Sequence, residues 1–89
     1  MEKSKITELF YKAILTFENI DECRAFFEDA CTPKEIQAIA QRFAVAKMLS
    51  EGKVYNDIVE ATGASTATIS RVNRAINKGF RTALERLDP

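Results

Sequence analysis

Apolar residues recur at i, i+3, i+4, i+7, i+8 and i+11 in the first segment, as Ile6, Leu9, Phe10, Ala13, Ile14 and Phe17. That spacing predicts an amphipathic helix, which Ser4 or Thr7 could open. Asn19 and Asp21 are turn or cap residues, and a second stripe follows through Cys23, Phe26, Phe27 and Ala30. Thr32-Pro33-Lys34-Glu35 is the clearest helix start in the chain. Thr at the N-cap and Glu three residues on form a capping box, and Pro presets φ at the first helical position. The helix it opens carries Ile36, Ile39, Ala40, Phe43 and Ala46 on one face and Val45, Met48 and Leu49 on another. It is expected to end near Ser50-Glu51-Gly52, with Gly52 as the C-cap.

From Tyr55 to Ile76 the chain reads YNDIVEATGASTATISRVNRAI. Ile58 and Val59 belong to a short helix that stops at Thr62-Gly63. Gly63 can take a positive φ at no steric cost, as a tight helix-to-helix turn needs. Ala64 is small enough to lie where two helices approach. Ser65 or Thr66 can cap a new helix whose inward stripe is Ile69, Val72 and Ile76. With Tyr55 as position one, apolar or small residues fall at four, five, ten, fifteen and eighteen, and glycine at nine. This is the spacing of a DNA-binding helix-turn-helix whose second helix is the reader. A short C-terminal helix over 79–89 completes an all-α chain of about six helices.

The outward positions fit that reading. Thr66, Ala67, Ser70, Arg71, Arg74 and Lys78 fall at helical spacings opposite Ile69, Val72 and Ile76. The first three are short, so the helix start can approach a major groove closely. Thr and Ser can donate or accept at base edges, and Ala can touch a thymine methyl. Arg71, Arg74, Lys78 and Arg81 form a cationic stripe suited to phosphates.

Composition narrows the alternatives. Thirteen basic and thirteen acidic residues cancel, but unevenly: 1–45 holds six basic and eight acidic groups, 46–89 seven and five. Eighty-nine residues suit a single domain, expected as a dimerisation core over 1–52, the helix-turn-helix over 53–78 and the last helix over 79–89. The apolar faces of the first three helices exceed what the C-terminal part can cover, so a homodimer is expected. No apolar run is long enough for a bilayer and the N-terminus does not read as a signal peptide, so no membrane partner and a cytoplasmic location are expected. The chain has no histidine. That removes His general bases, Ser-His-Asp and Cys-His pairs, and His metal ligands. Cys23 and Cys31 are too few for a thiolate zinc site and lack C-x-x-C spacing, so they read as small core hydrophobes rather than a redox pair. No enzyme, metal or cofactor is expected.

The stretch from Phe26 to Ile76 resembles the Trp repressor family, and within it the YerC/YecD-like branch. CTPKEIQAIAQRFAVAKMLSEG stands where the repressor typically has Leu-Thr-Pro-Asp-Glu-Arg and a later Arg-Val-Arg. TGASTATISRVNRAI is similar to its Gly-Ala-Gly-Ile-Ala-Thr-Ile-Thr-Arg. The resemblance implies an all-helical, intertwined homodimer that binds operator DNA and represses transcription. It implies base approach by Thr66, Ala67 and Ser70, with Asn56 able to reach the groove edge from the preceding helix.

The resemblance also matches Arg42 and Arg71 to two arginines that flank bound tryptophan in the repressor. Val72, however, replaces a glycine, and its γ-methyls project into space that glycine leaves empty. Ala75 replaces a serine that helps hold the amino group, and burying a polar group without its partner costs ~1–3 kcal/mol. A pocket at Arg42, Arg71, Val72 and Ala75 is therefore expected to take a different small effector or none, and not L-tryptophan. The competing reading of the whole chain is a helical protein-interaction module that keeps the helix-turn-helix geometry without specific DNA binding.

Overall fold

In the computed structural model, which describes residues 1–87, six helices follow one another and no strand occurs among the described residues. They are α1 (Lys3–Ile14), α2 (Ile20–Ala30), α3 (Pro33–Ser50), α4 (Tyr55–Thr62), α5 (Thr66–Ala75) and α6 (Lys78–Leu87). The chain divides into two units, Met1–Ile36 and Gln37–Pro89, with the boundary one turn into α3.

In the first unit the helix ends are set by side chains. Neither Ser4 nor Thr7 opens α1: Glu2 holds the N-cap position without a side-chain bond. Thr7 lies inside the helix, where its hydroxyl donates to the Lys3 carbonyl at 3.1 Å, the back-bond of a helix-interior threonine and not a cap. The helix stops short of Phe17. The Thr16 N–H and hydroxyl both donate to the Ala13 carbonyl, at 3.1 and 2.7 Å, and so close the last turn. Asn19 caps α2, its side chain accepting the Glu22 N–H at 2.9 Å. Asp21 instead lies in the first turn and pairs with Arg24.

Aromatic rings hold this unit together. Phe26 has Phe17 at 5.1 Å, Phe27 at 5.5 Å and Phe10 at 5.9 Å between ring centroids, all within the range where tilted and edge-on pairs attract. Cys23 and Cys31 are half-buried free thiols. Yet no residue of α1 or α2 is buried. Ile6, Leu9, Tyr11, Leu15 and Ile20 all stand more than half exposed.

The buried core lies in the second unit. It consists of Val45 and Ala46 from α3, Ile58 from α4, Ala64 from the turn, and Ile69 and Val72 from α5. Met48, Leu49, Tyr55, Val59, Ile76, Phe80 and Leu84 pack against it, and the Phe43 ring meets Phe80 edge-on at 5.5 Å. The two apolar faces anticipated on α3 do not separate cleanly: Val45, Met48 and Leu49 from one and Ala46 from the other join this core, whereas Ile39 stays half exposed. At the end of α3, Gly52 takes φ +78°. The Gly52 N–H reaches the Leu49 carbonyl and the Lys53 N–H the Met48 carbonyl, each at 3.1 Å. These two bonds make a Schellman stop, which requires the left-handed residue that glycine supplies.

Candidate nucleic-acid interface

Helices α4 and α5 pack on each other across the turn at 63–65. Gly63 ends α4 with φ +73° and ψ 4°, its N–H on the Val59 carbonyl at 2.9 Å. Between the alternatives Ser65 and Thr66, the cap of α5 is Ser65, whose hydroxyl accepts the Thr68 N–H at 3.1 Å. Ala64, in the turn between the two helices, is 2% exposed. Ile58, Ile69 and Val72 are buried around it, so the face of α5 that looks outward is fixed by apolar packing.

On that outward face Thr66, Ala67, Arg71, Asn73, Arg74 and Ala75 are exposed and Ser70 is half-buried. Asn56 is exposed in the first turn of α4. No acidic residue occurs on α5, and Arg74 lies in its last turn, where a cation also complements the helix dipole. The arrangement presents short polar groups first and two guanidinium groups afterwards. Asn73 was not singled out from the sequence. It shares the outward edge with Thr66 and Ser70 at i, i+4 and i+7.

Lys78 does not continue α5. Ile76 leaves helical geometry at ψ 119°, although its N–H still reaches the Val72 carbonyl. Asn77 then restarts the chain: its side-chain oxygen accepts the Lys78 N–H and its carbonyl the Arg81 N–H. Lys78 therefore opens α6, and Arg81 sits one turn further along that helix. The cationic stripe is carried by two helices, with Arg71 and Arg74 on the first.

The four residues considered as an effector pocket part company. Val72 is 4% exposed within the core, whereas Arg42, Arg71 and Ala75 are exposed. A shallow depression of about 340 Å³ lies elsewhere, lined by Lys47, Ser50, Glu51, Arg81, Leu84 and Glu85. Its walls carry both signs of charge, and the Lys47 ammonium contacts Glu51 at 2.9 Å. Among the described residues no group of three or more His, Cys, Asp and Glu side chains is disposed to hold a metal ion. None of the helices described is long and apolar enough to cross a membrane.

This six-helix fold has counterparts of known structure. A TrpR-like protein from Eubacterium eligens ATCC 27750 superposes with a TM-score of 0.91 at 52% identity, covering 96% of this chain and 91% of that one. A candidate Trp repressor from Staphylococcus aureus gives 0.88 at 47% identity, covering 98% and 89%. In sequence, the uncharacterised protein YerC of Bacillus subtilis (strain 168) is 47% identical over 88 residues, 96% of this chain and 85% of YerC. The family model described as Trp repressor protein matches residues 5–88. The match runs through both units and the whole helix-turn-helix, and the chain belongs to the Trp repressor family, in its YerC-like branch.

Proposed function

We propose that the chain is a sequence-specific DNA-binding regulator of transcription, a repressor acting as a homodimer on double-stranded DNA in the cytoplasm. The observation that carries this reading is the exposed face of α5. Thr66, Ala67 and Ser70 are assigned to base edges, and Arg71 and Arg74 to phosphates. Asn56 is assigned to the groove edge from α4, and Lys78 to phosphate from the start of α6. Family membership also supports regulation rather than catalysis. The dimer is supported by the large apolar side chains that α1 and α2 leave exposed, including Leu9 at 59% and Ile20 at 71%, since a second copy would take them out of water.

The test is duplex selection from a randomised pool, followed by affinity measurement against salt. Neutralising several phosphates gives log K a steep negative slope on log salt. A protein-interaction module working through apolar contacts would bind no selected duplex and would lack that slope. Sedimentation equilibrium at micromolar concentration completes the test: a species of only 10.0 kDa would exclude the dimer.

A further inference from the structure

The Gln41 side chain of α3 donates from Nε2 to the backbone carbonyl of Thr62 at 3.1 Å, in a partly buried bond spanning 21 residues. Thr62 is the last residue of α4, so its carbonyl belongs to the terminal set that the helix itself cannot satisfy. The rest of Thr62 is engaged too. Its hydroxyl donates to the Ile58 carbonyl at 2.7 Å and accepts the Ala64 N–H at 3.1 Å. We infer that Gln41 is a specificity-determining positioning residue: its bond to Thr62 sets the angle at which α5 presents Thr66, Ala67 and Ser70 to DNA. This rests on the DNA-binding reading proposed above and adds to it a residue outside the helix-turn-helix.

Ala64, Ile69 and Val72 bury α5 against Val45, Ala46 and Ile58, but apolar burial is non-directional and tolerates rotation. Gly63, at φ +73° with only Gln41 Nε2 near the position of a Cβ, at 4.0 Å, contributes no side chain to stiffen the turn. A hydrogen bond weakens steeply once its angle falls, so the bond from Gln41 ties the turn to α3 in one orientation. A tilt of about 10° about the turn moves Ser70, four residues and about 6 Å from the start of α5, by about 1 Å. Hydrogen bonds to bases tolerate a spread of only about 0.5 Å. Phosphate attraction is less demanding, because it depends on charge more than on angle.

The experiment compares wild type with Gln41→Met, which keeps the shape and removes the donor, and Gln41→Glu, which sets an acceptor against the Thr62 carbonyl. Each binds a duplex selected by the wild-type protein and a shuffled duplex of equal composition, at a temperature where circular dichroism shows both variants folded. The ratio of affinities should fall about tenfold, the effect of one poorly read base pair. Affinity for the shuffled duplex should stay within about twofold, and the salt slope should not change. In wild type, one side-chain amide proton of Gln41 should exchange more slowly than those of exposed Asn73, a readout that needs no variant and no DNA. A preserved ratio in a folded variant, or a Gln41 amide exchanging as fast as that of Asn73, overturns the role of Gln41 alone. A wild-type chain that binds neither duplex overturns the DNA-binding reading itself.

Discussion

The Thr32 backbone N–H donates to Glu35 Oε1 at 2.8 Å while the Glu35 N–H donates back to the Thr32 hydroxyl at 3.2 Å. This reciprocal pair satisfies two N–H groups at the start of α3 and holds the Glu35 carboxyl below its ordinary range. The Thr32 backbone N–H is the larger cause and its side chain the smaller, both outweighing desolvation. Because the folded pKa is lowered, the box contributes fully above the ordinary Glu value of about 4.3 and is lost as pH falls from there through the folded value. Glu35→Gln should flatten the acid limb of the stability curve in that window, read by circular dichroism against pH. Thr32→Ala should cost about 1 kcal/mol at neutral pH, lowering Tm by about 4–8 °C. A variant with an unchanged acid limb would show that the bond is not maintained in solution.

Gly63 is required by backbone geometry rather than by space. Nothing closer than 4.0 Å would meet an added Cβ, yet φ is +73°. Gly63→Ala should therefore destabilise by about 1–2 kcal/mol through the left-handed conformation alone. Gly63→Asn should cost less, since Asn visits that region more readily. Equal losses in chemical denaturation for Ala and Asn would point to a contact instead of the dihedral.

Much of this was legible in the residues because it is local. The Thr32–Glu35 box, the glycine stops at 52 and 63, and the inward set Ile58, Ala64, Ile69 and Val72 each announce themselves within a few positions. Helix ends written over continuing periodicity were not legible. Phe17 and Lys78 keep helical spacing although the backbone has already turned, because Thr16 and Asn77 redirect it through their own hydrogen bonds. Gln41 was invisible for another reason: a bond to a carbonyl 21 residues away leaves no trace in spacing. Among the apolar positions of α3, the pattern could not say which face the chain itself covers. Ile39 and Val45 look alike in sequence and differ by half their surface in the fold.

The two halves of the reader face should separate in binding experiments. Arg74, exposed in the last turn of α5, should contact phosphate. Arg74→Ala should weaken binding to all duplexes alike and reduce the salt slope by about one unit. Thr66→Ala and Ser70→Ala should shift preference among selected duplexes by about 1–3 kcal/mol and leave the slope intact. Ser70 is half-buried, so the shift for Thr66 should be the larger. The reverse assignment of slope and preference would mean that α5 meets DNA by another face.

The last prediction concerns L-tryptophan. Arg42 and Arg71 are exposed, and guanidinium planes can stack on an aromatic ring. Val72 occupies the neighbouring position with a side chain committed to the core, at 4% exposure beside Ile69 and Ile58. Ala75 has no hydroxyl to offer an ammonium group. Calorimetry with millimolar L-tryptophan should show no binding, and DNA affinity should be the same with and without it. Arg71→Ala should still weaken DNA binding without any effector, through the lost phosphate contact. Val72→Gly should not create a binding site, because removing a buried valine side chain from the core destabilises α5 before it opens a pocket. The destabilisation should be about 2–4 kcal/mol, from the lost apolar burial and the poor helix propensity of glycine. Saturable binding of L-tryptophan at micromolar concentration that also tightens the DNA complex would overturn this. The side chain at position 72 would then be shown to leave the repressor's ligand site intact.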